Sequence, residues 1–293
     1  MSHSSPQEWL DGRASGIGGS DIGAIMGHSP WASAVTVWAE KMNLYAKEVT
    51  PAMERGKFLE PCVLDAYKEK RCLDVFYHPD SFFQSTRHPV FRSSVDGLVE
   101  SEKTVVEIKT SRHGRKYWGR PGTDDVPDYV RDQVQWAMGV LGPEWKTVEI
   151  AVLFGEVEPE ICLPEIYRIR RDDEYIAEIQ KAALDFWRNV EAKKCPEPRD
   201  GLKETRKALT AVYRLGHEGE IKDQIVEADD LARQTIEQLE EAIRGGDNKR
   251  KEVLRNKIRY FIGERGTKGI RAGNIVYTWT QDRNDVWMLL RKR

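Results

Sequence analysis

The chain has 293 residues, of which 40% are hydrophobic, and a formal net charge of −2, so it is long enough to bury a substantial core in one large domain with an appendage, or in two domains. No apolar run approaches the roughly 20 residues of a membrane-spanning helix, and the N-terminus lacks the basic and apolar regions of a signal peptide. These features argue against membrane and secreted proteins and predict a cytoplasmic location. Residues 1–200 carry 26 Lys+Arg against 33 Asp+Glu, whereas residues 201–293 carry 20 against 15, which makes the body acidic and the tail basic.

The first 200 residues are predicted to form one α/β domain. A glycine-rich stretch, Gly16–Gly27, holds Ser20 and Asp21 where they can cap a short helix. Hydrophobic spacing and turn residues then predict, in chain order, helices over Val35–Tyr45 and Phe58–Lys70, strands over Ser81–Thr86, Val90–Glu100 and Thr104–Thr110, a helix over Asp128–Val140, β-rich segments over Thr147–Gly155 and Ile161–Arg170, and a helix over Asp172–Lys193.

Residues 201–293 are predicted to form a separate C-terminal extension. The run Cys195–Gly201 has two prolines and a glycine among polar residues, which is typical of a linker. Beyond it, apolar residues at three- and four-residue steps predict a helix over Glu220–Arg244 and a second one over Lys249–Ile262, and Ile275–Trp279 is typical of a strand. We expect a helical hairpin with a small β element, suited to oligomerisation or to DNA or partner binding.

Two short segments, Ser94–Gly97 and Val106–Lys109, carry the strongest chemical signal. If they form a hairpin centred on Ser101 and Glu102, Asp96 and Glu107 face each other with Cβ atoms roughly 5 Å apart, where like charges repel unless a cation lies between them. Lys109 projects from the same face of the strand as Glu107. Oxygen ligands beside a lysine suit Mg²⁺- or Mn²⁺-dependent phosphodiester hydrolysis, although a solvated, charged strand face would have the same pattern.

Five short blocks occur in an order that identifies a family resemblance: Arg13–Asp21, Arg55–Glu60, Ser94–Gly97, Glu107–Lys109 and Gln133–Met138. Together they resemble the YqaJ-type viral recombinases, relatives of phage lambda exonuclease within the PD-(D/E)xK nuclease superfamily. The resemblance covers about residues 10 to 195. It implies an α/β fold with a restriction-endonuclease-like core, a central mixed sheet flanked by helices.

The resemblance assigns a role to each matching position of the metal site. Asp96, Glu107 and the backbone carbonyl of Ile108 would bind metal, and Lys109 would be the catalytic lysine. Glu60 would complete a second metal site, giving two Mg²⁺ or Mn²⁺ ions, or would hold metal-bound water. Gln133 would touch the attacking water or the scissile phosphate. Outside such a motif Glu60 would be an ordinary surface acid of a helix, and for Gln135 a packing or surface role is favoured.

DNA contacts are implied at two further places. In the family, the residues that match Arg13 and Ser20 bind the 5′-phosphate of the DNA end, which suits a helix N-terminus, although a plain capping serine is the alternative. Met53 matches an apolar residue that wedges between terminal bases, but a core methionine is favoured. After the catalytic strand comes a basic segment that suits phosphate contacts and base stacking, or a solvated loop: Arg112, Arg115, Lys116, Tyr117, Trp118 and Arg120.

The resemblance implies a metal-dependent exonuclease that digests one strand of a double-stranded DNA end 5′ to 3′ and leaves a 3′ overhang for a single-strand annealing protein. It also implies a homo-oligomer such as a trimeric ring, of phage or prophage origin, acting in the cytoplasm of a bacterial host. Two alternatives remain open: a PD-(D/E)xK endonuclease or flap-cutting enzyme, and a non-catalytic module that binds DNA ends. The non-catalytic module predicts loss of a carboxylate or of the lysine, and the sequence retains all three residues.

Overall fold

The computed structural model describes residues 15–76, 82–112, 115–155, 163–215, 221–282 and 286–292. The chain forms two compact units. The first takes the chain up to His28 and then Lys47–Asp185, and the second takes Ser29–Ala46 and the residues from Phe186 onwards. Packing therefore joins residues 29–46 and 186–200 to the C-terminal part, and the division into domains 1–200 and 201–293 stays a prediction.

The elements follow the predicted order with adjusted ends, but the prediction of one strand over Val90–Glu100 is wrong, because Arg92–Ser93 and Gly97–Val99 are separate strands in different sheets. The helices are α1 (Gly19–Ile25), α2 (Ala34–Lys41), α3 (Pro51–Arg71), α4 (Asp128–Leu141), α5 (Asp173–Glu191), α6 (Lys203–Thr210), which continues as a π-helix over Ala211–Leu215, α7 (Asp230–Arg244) and α8 (Asn248–Glu264). The strands are β1 (Phe83–Gln84), β2 (Arg92–Ser93), β3 (Gly97–Val99), β4 (Thr104–Ser111), β5 (Thr147–Phe154), β6 (Glu165–Arg170), β7 (Lys222–Glu227), β8 (Thr267–Ala272), β9 (Ile275–Gln281) and β10 (Trp287–Lys292). No helix within the described ranges is long and apolar enough to cross a bilayer.

A four-stranded mixed sheet, ordered β3-β4-β5-β6, forms the centre of the first unit. Strand β4 is antiparallel to β3 and parallel to β5, and β5 is antiparallel to β6. Because side chains alternate along a strand, β4 supplies two cores: Val106 and Ile108 pack with Val63 of α3, and Val105 packs with Val130 and Val134 of α4. The predicted α/β fold with a central mixed sheet flanked by helices is confirmed.

A buried carboxylate fastens α3 to this sheet. Glu149 on β5 is 1% exposed and accepts hydrogen bonds from the Tyr67 hydroxyl at 2.7 Å and the Arg71 Nε at 2.8 Å, both on α3, and from the Arg168 Nε at 3.0 Å. Burial alone would raise the pKa of Glu149, but these donors lower it below its ordinary value. The ion pair thereby fixes the C-terminal half of α3 on the sheet.

The second unit contains its own four-stranded sheet, ordered β10-β9-β8-β7, with β7 parallel to β8 and the other pairs antiparallel. Helices α7 and α8 form the predicted hairpin, joined through Gly245–Asp247. The expectation of one helix over Glu220–Arg244 is wrong at its start. Lys222–Glu227 is a strand, and the helix begins only after Asp229, whose carboxylate accepts a hydrogen bond from the Ala232 N–H at 2.9 Å. Strands β8 and β10 and helix α6 are additional to the predicted elements.

Candidate active site

The hairpin β3–β4 has the register that the sequence predicts. Gly97 pairs with Val106, Leu98 with Val105 and Val99 with Thr104, so one further step places Asp96 opposite Glu107. The Asp96 carboxylate accepts a hydrogen bond from the Ile108 N–H at 2.6 Å. Asp96 therefore lies against the part of β4 that extends beyond the end of β3.

Glu107, Lys109 and Gln133 form a closed hydrogen-bonded triangle. The Lys109 Nζ lies 2.6 Å from the Glu107 Oε1 and 2.8 Å from the Gln133 Oε1, and the Gln133 Nε2 donates to the Glu107 Oε1 at 2.6 Å. Glu107 is only 4% exposed. Because Gln133 comes from α4, the triangle joins this helix to the catalytic strand suggested by the sequence.

Burial and neighbouring charges shift the pKa values of Asp96 and Lys109. Burial, and next the charge of Glu107, raises the pKa of Asp96 well above its ordinary value, while Lys109 and the Ile108 N–H lower it in part. For Lys109, burial acts to lower the pKa, but the charges of Glu107 and Asp96 outweigh it, and the pKa is raised. The pair of acids thus favours a cation beside it, and the lysine is held in its charged form.

The donor set fits a magnesium-like ion. Asp96 and Glu107 supply carboxylate oxygens. Because the N–H and C=O of one strand residue face the same neighbour, we expect the Ile108 carbonyl on the side of β4 where its N–H donates to Asp96. Mg²⁺ is commonly held by one or two carboxylates and completed by water and phosphate. Within the described ranges no three His, Cys, Asp or Glu side chains are grouped tightly enough to form an all-protein metal cage. Glu60 on α3 is half-buried, and its charge contributes to the raised pKa of Asp96, which places it within electrostatic reach.

Helix α1 lies unusually close to α4 because two glycines face it. A Cβ on Gly19 would lie 3.1 Å from the Gln133 Cγ, and a Cβ on Gly23 would lie 2.9 Å from the Tyr129 Cβ. A Cβ on Gly23 would force Tyr129 to shift, and one on Gly19 would crowd Gln133, so glycine suits both positions. Tyr129, one turn before Gln133, interacts electrostatically with Lys109, and sequence reasoning missed it although the four-residue spacing places both on one helix face.

Next to the triangle lies a small cavity, which we name the glycine-loop cavity, of about 130 Å³. Such a volume accommodates a few water molecules or a small anion. The helix cap beside it is made by Asp21, whose carboxylate accepts a hydrogen bond from the Gly18 N–H at 3.0 Å. The cavity is lined by Gly16, Gly18, Gly19, Ser20, Asp21, Phe82, Arg92, Ser93, Ser94 and Gln133.

Of the two residues predicted to bind a 5′-phosphate, Ser20 lines the glycine-loop cavity, whereas Arg13 lies outside the described residues. Arg92 also lines this cavity, and sequence reasoning missed it. Its Nη1 lies 3.0 Å from the Ser15 Oγ. The available signal was its position on the strand just before Ser94, within the same polar run.

The basic segment after β4 divides into exposed and packed residues. Arg112, Lys116 and Tyr117 are exposed, and Arg115 is exposed but forms an ion pair with Glu165. Trp118 packs against Phe154 and Tyr167 with ring centroids 5.7 and 5.0 Å away, so it belongs to the edge of the core. DNA contacts by the exposed residues stay a prediction.

Two other side chains settle alternatives that the sequence left open. Met53 on α3 is 47% exposed, so the interpretation as a core methionine is wrong. Gln135 is buried, donates to the Arg170 carbonyl at 2.8 Å and accepts from the Asp172 N–H at 3.0 Å. Its expected packing role is confirmed.

The comparisons with known proteins concern the part of the chain that carries this site. Residues 8–144 match the sequence profile of a family described as the YqaJ-like viral recombinase domain. This segment is similar to the YqaJ-like viral recombinase domains. The matched segment contains Arg13, Ser20, Glu60, Asp96, Glu107, Ile108, Lys109 and Gln133.

The chain also resembles a curated relative and several solved structures. An uncharacterized protein YqaJ of Bacillus subtilis (strain 168) is 32% identical over 195 residues, which cover 64% of this chain and 56% of the relative, so the chain spans little more than half of that protein. The alkaline exonuclease LHK-Exo of Laribacter hongkongensis superposes with a TM-score of 0.50 at 22% identity, covering 64% of this chain and 93% of that one. Its complex with dAMP gives 0.50 at 21% identity with the same coverage. At these identities the structural likeness establishes the fold.

Proposed function

We propose that the protein is a metal-dependent exonuclease that digests one strand of double-stranded DNA from its end, 5′ to 3′, and leaves a 3′ single-stranded overhang. The main support is the arrangement of Asp96 opposite Glu107 on neighbouring strands, with Lys109 hydrogen-bonded to Glu107 and Gln133. The YqaJ-like domain and the exonuclease likeness of the fold add support. The reaction would serve recombination by strand annealing.

In this proposal Asp96, Glu107 and the Ile108 carbonyl would hold one Mg²⁺ or Mn²⁺ ion, and Glu60 would help to hold a second. Such ions supply Lewis-acid activation of water and of the scissile phosphate. Lys109, with its raised pKa, contributes a positive charge that stabilises the charge developing on the phosphate. Gln133 fixes the lysine through its side-chain carbonyl, 2.8 Å from the Nζ.

The glycine-loop cavity would receive the 5′-phosphate of the DNA end. Ser20 and Arg92 line it, and Gln133 belongs to both the cavity and the triangle, so a phosphate held there would lie next to the carboxylates. Arg13 would add a second guanidinium. Exposed Arg112, Arg115 and Lys116 would contact the duplex backbone.

The decisive experiment is a time course on linear duplex DNA, labelled at the 5′ end of one strand or of the other, in Mg²⁺ or Mn²⁺ and in EDTA. An exonuclease of this polarity releases the 5′ label first and leaves covalently closed circular DNA intact. Cleavage of the circle would indicate the alternative endonuclease. Duplex ends left untouched in both metals would refute the proposed function and favour a binding module.

The Lys109→Ala variant tests the site itself. We expect its rate of cleavage to fall by at least about 100-fold, because one preorganised positive charge is lost beside the phosphate, while DNA binding is largely kept. Lys103→Ala, in the turn of the same hairpin, is the matched control and should cleave normally. A Lys109→Ala variant that digests DNA at the normal rate contradicts the assignment.

The further expectations, a homo-oligomer such as a trimeric ring and recruitment of a single-strand annealing protein, remain proposals that rest on the family resemblance. Light scattering of the purified chain tests the first, and co-purification with the candidate annealing protein tests the second. Neither is required for the chemistry proposed for Asp96, Glu107 and Lys109.

A further inference from the structure

The second unit has a groove of about 780 Å³ that plays no part in the proposed nuclease site. Its walls come from α6 and the π-helix, from α8, and from β10. Six cationic side chains line what we name the cationic groove: Lys203, Arg206, Lys207, Arg255, Arg259 and Arg291.

Part of this positive charge is not neutralised. Among the described residues no carboxylate lies within salt-bridge distance of Arg206 or Arg259, whereas Lys207, Arg255 and Arg291 pair with glutamates. Arg259 is 4% exposed and its Nε has no hydrogen-bond partner in the described part of the chain. Burial, and next the charge of Arg206, lowers the pKa of Arg259 to about 10. The Arg259 Nη1 donates to the Asn256 Oδ1 at 2.8 Å, and the charge of Glu252 acts on the guanidinium only from beyond salt-bridge distance, so an external anion would stabilise this wall.

The rest of the groove is aliphatic and includes a sheet edge. Strand β10 is the last strand of its sheet, and its second side has no strand partner among the described residues. A free strand edge offers N–H and C=O groups to an extended peptide. The exposed apolar residues beside it are all aliphatic or thioether side chains: Leu215, Val286, Met288 and Leu290.

These features favour a peptide over a nucleic acid. Single-stranded nucleic acid is held by cations together with exposed aromatic rings on which bases stack. Trp287 lies at the groove but is half-buried, and the guanidinium of Arg214 lies 5.2 Å from its ring centre, so this face of the ring is covered. An extended segment that alternates acidic and aliphatic residues would match the cations, the apolar side chains and the strand edge at once.

We propose that the cationic groove is a docking site for an extended, acidic and aliphatic segment of a partner protein. The segment would lie along β10, place its carboxylates near Arg206 and Arg259, and bury its aliphatic side chains against Met288 and Leu290. This inference is independent of the nuclease proposal, because it uses only residues of the second unit.

The test uses phage display of short random peptides on the immobilised full-length protein, followed by fluorescence anisotropy with the most enriched peptide. We expect enrichment of sequences that mix Asp or Glu with Leu, Ile or Val. Arg206→Glu and Leu290→Asp should each weaken binding of that peptide by about tenfold or more, since one reverses a central charge and the other places a charge on the apolar face. Added salt should weaken it further.

The matched control is Lys249→Glu, which makes the same charge change at an exposed position of α8 outside the groove and should bind the peptide normally. Leu290 is exposed on the strand edge, so Leu290→Asp should keep the melting temperature of the parent chain. The proposal is overturned if no acidic and aliphatic family is enriched, or if both groove variants bind as the parent does. It is also overturned if the groove variants lose affinity for an oligothymidylate and not for the peptide, which would make the groove a nucleic-acid site.

Discussion

Individual side chains of the candidate site differ in how far the sequence predicts them. Asp96, Glu107 and Lys109 follow from local geometry alone, because a short hairpin fixes which residues oppose each other. Gln133 requires the family resemblance, since its partners lie 24 and 26 residues away. Tyr129 goes unnoticed because its relation to Lys109 exists only after α4 has packed on the sheet.

The Gln133→Ala variant distinguishes a role of Gln133 in orienting Lys109 and Glu107 from a role in the folding stability of the chain. The change removes hydrogen bonds to both Lys109 and Glu107, so we expect kcat to fall by about tenfold to 100-fold with little change in KM, since misplaced catalytic groups lose rate rather than binding. Single-turnover digestion of a labelled duplex measures it. Gln135→Ala is the contrasting variant: it should lower the melting temperature and leave kcat of the folded enzyme near normal. Equal kcat values for Gln133→Ala and the parent would contradict a role of Gln133 in the site.

Arg13→Ala addresses the recognition of DNA ends. If Arg13 joins Ser20 and Arg92 at the glycine-loop cavity, its loss should narrow the ratio of cleavage rates on 5′-phosphate and 5′-hydroxyl ends, because the lost contact is made with the phosphate only. Competition between the two substrates in one reaction measures this ratio. The surface variant Arg87→Ala should preserve it, and an unchanged ratio in Arg13→Ala would refute the assignment.

Secondary-structure elements are predicted well where one strong pattern governs them. Helices α3, α4 and α8 and the β3–β4 hairpin fall where hydrophobic spacing and turn residues put them. The sequence pattern does not predict strand β7, because Ile221 and Ile225 continue, by chance, the four-residue spacing of α7. The signal that separates the two elements is Asp229, a typical N-cap residue whose carboxylate binds the Ala232 N–H.

The Glu149 ion pair makes the attachment of α3 dependent on pH. Glu149→Gln leaves Arg71 and Arg168 without their carboxylate, and because both arginines are partly exposed the free energy of unfolding should fall by about 2 kcal/mol, less than for a fully buried pair. Since the folded-state pKa of Glu149 is lowered, its contribution is present above its ordinary value of 4.5 and is lost as the pH falls through the folded-state pKa.

Urea unfolding at several pH values measures this dependence. The difference between the parent chain and Glu149→Gln should be largest near neutral pH and should shrink on acidification. Glu100→Gln, an exposed residue paired with Lys103, is the matched control and should change stability by at most about 0.5 kcal/mol. A difference that grows at low pH would contradict the lowered pKa.

In the whole molecule, the boundary between the two compact units does not coincide with residues 195–201, the segment whose composition is typical of a linker. Helix α2 belongs with the C-terminal part: the Thr205 Oγ1 lies 2.8 Å from the Ser33 Oγ, and the Tyr45 hydroxyl lies 2.5 Å from the Glu204 Oε2. These contacts join residues more than 150 positions apart in sequence. A domain boundary placed from amino-acid composition cannot reveal these contacts. Composition identifies polar segments rich in proline and glycine, but it does not show which distant residues pack together.

A chain truncated after residue 200 should therefore be destabilised rather than simply shortened. It would lose α6, α8 and the sheet of the second unit, and leave buried residues of α2 such as Trp38 without part of their surroundings. We expect stronger binding of a hydrophobic dye and a lower melting temperature than for the full chain. A truncated chain with the melting temperature of the full chain and no additional dye binding would contradict this expectation. Point variants in the cationic groove are the better probes of the second unit.

The parallel pairing of β4 with β5 has a consequence for the order of assembly. The β3–β4 turn closes a loop of only a few residues, whereas β5 can join β4 only after a crossover of about 35 residues that includes α4. Local hairpins form faster than pairings of distant segments. The two acids can therefore meet early in folding, while Gln133 reaches them only when the crossover has docked, so the hydrogen-bonded triangle of Glu107, Lys109 and Gln133 should be complete only late in folding.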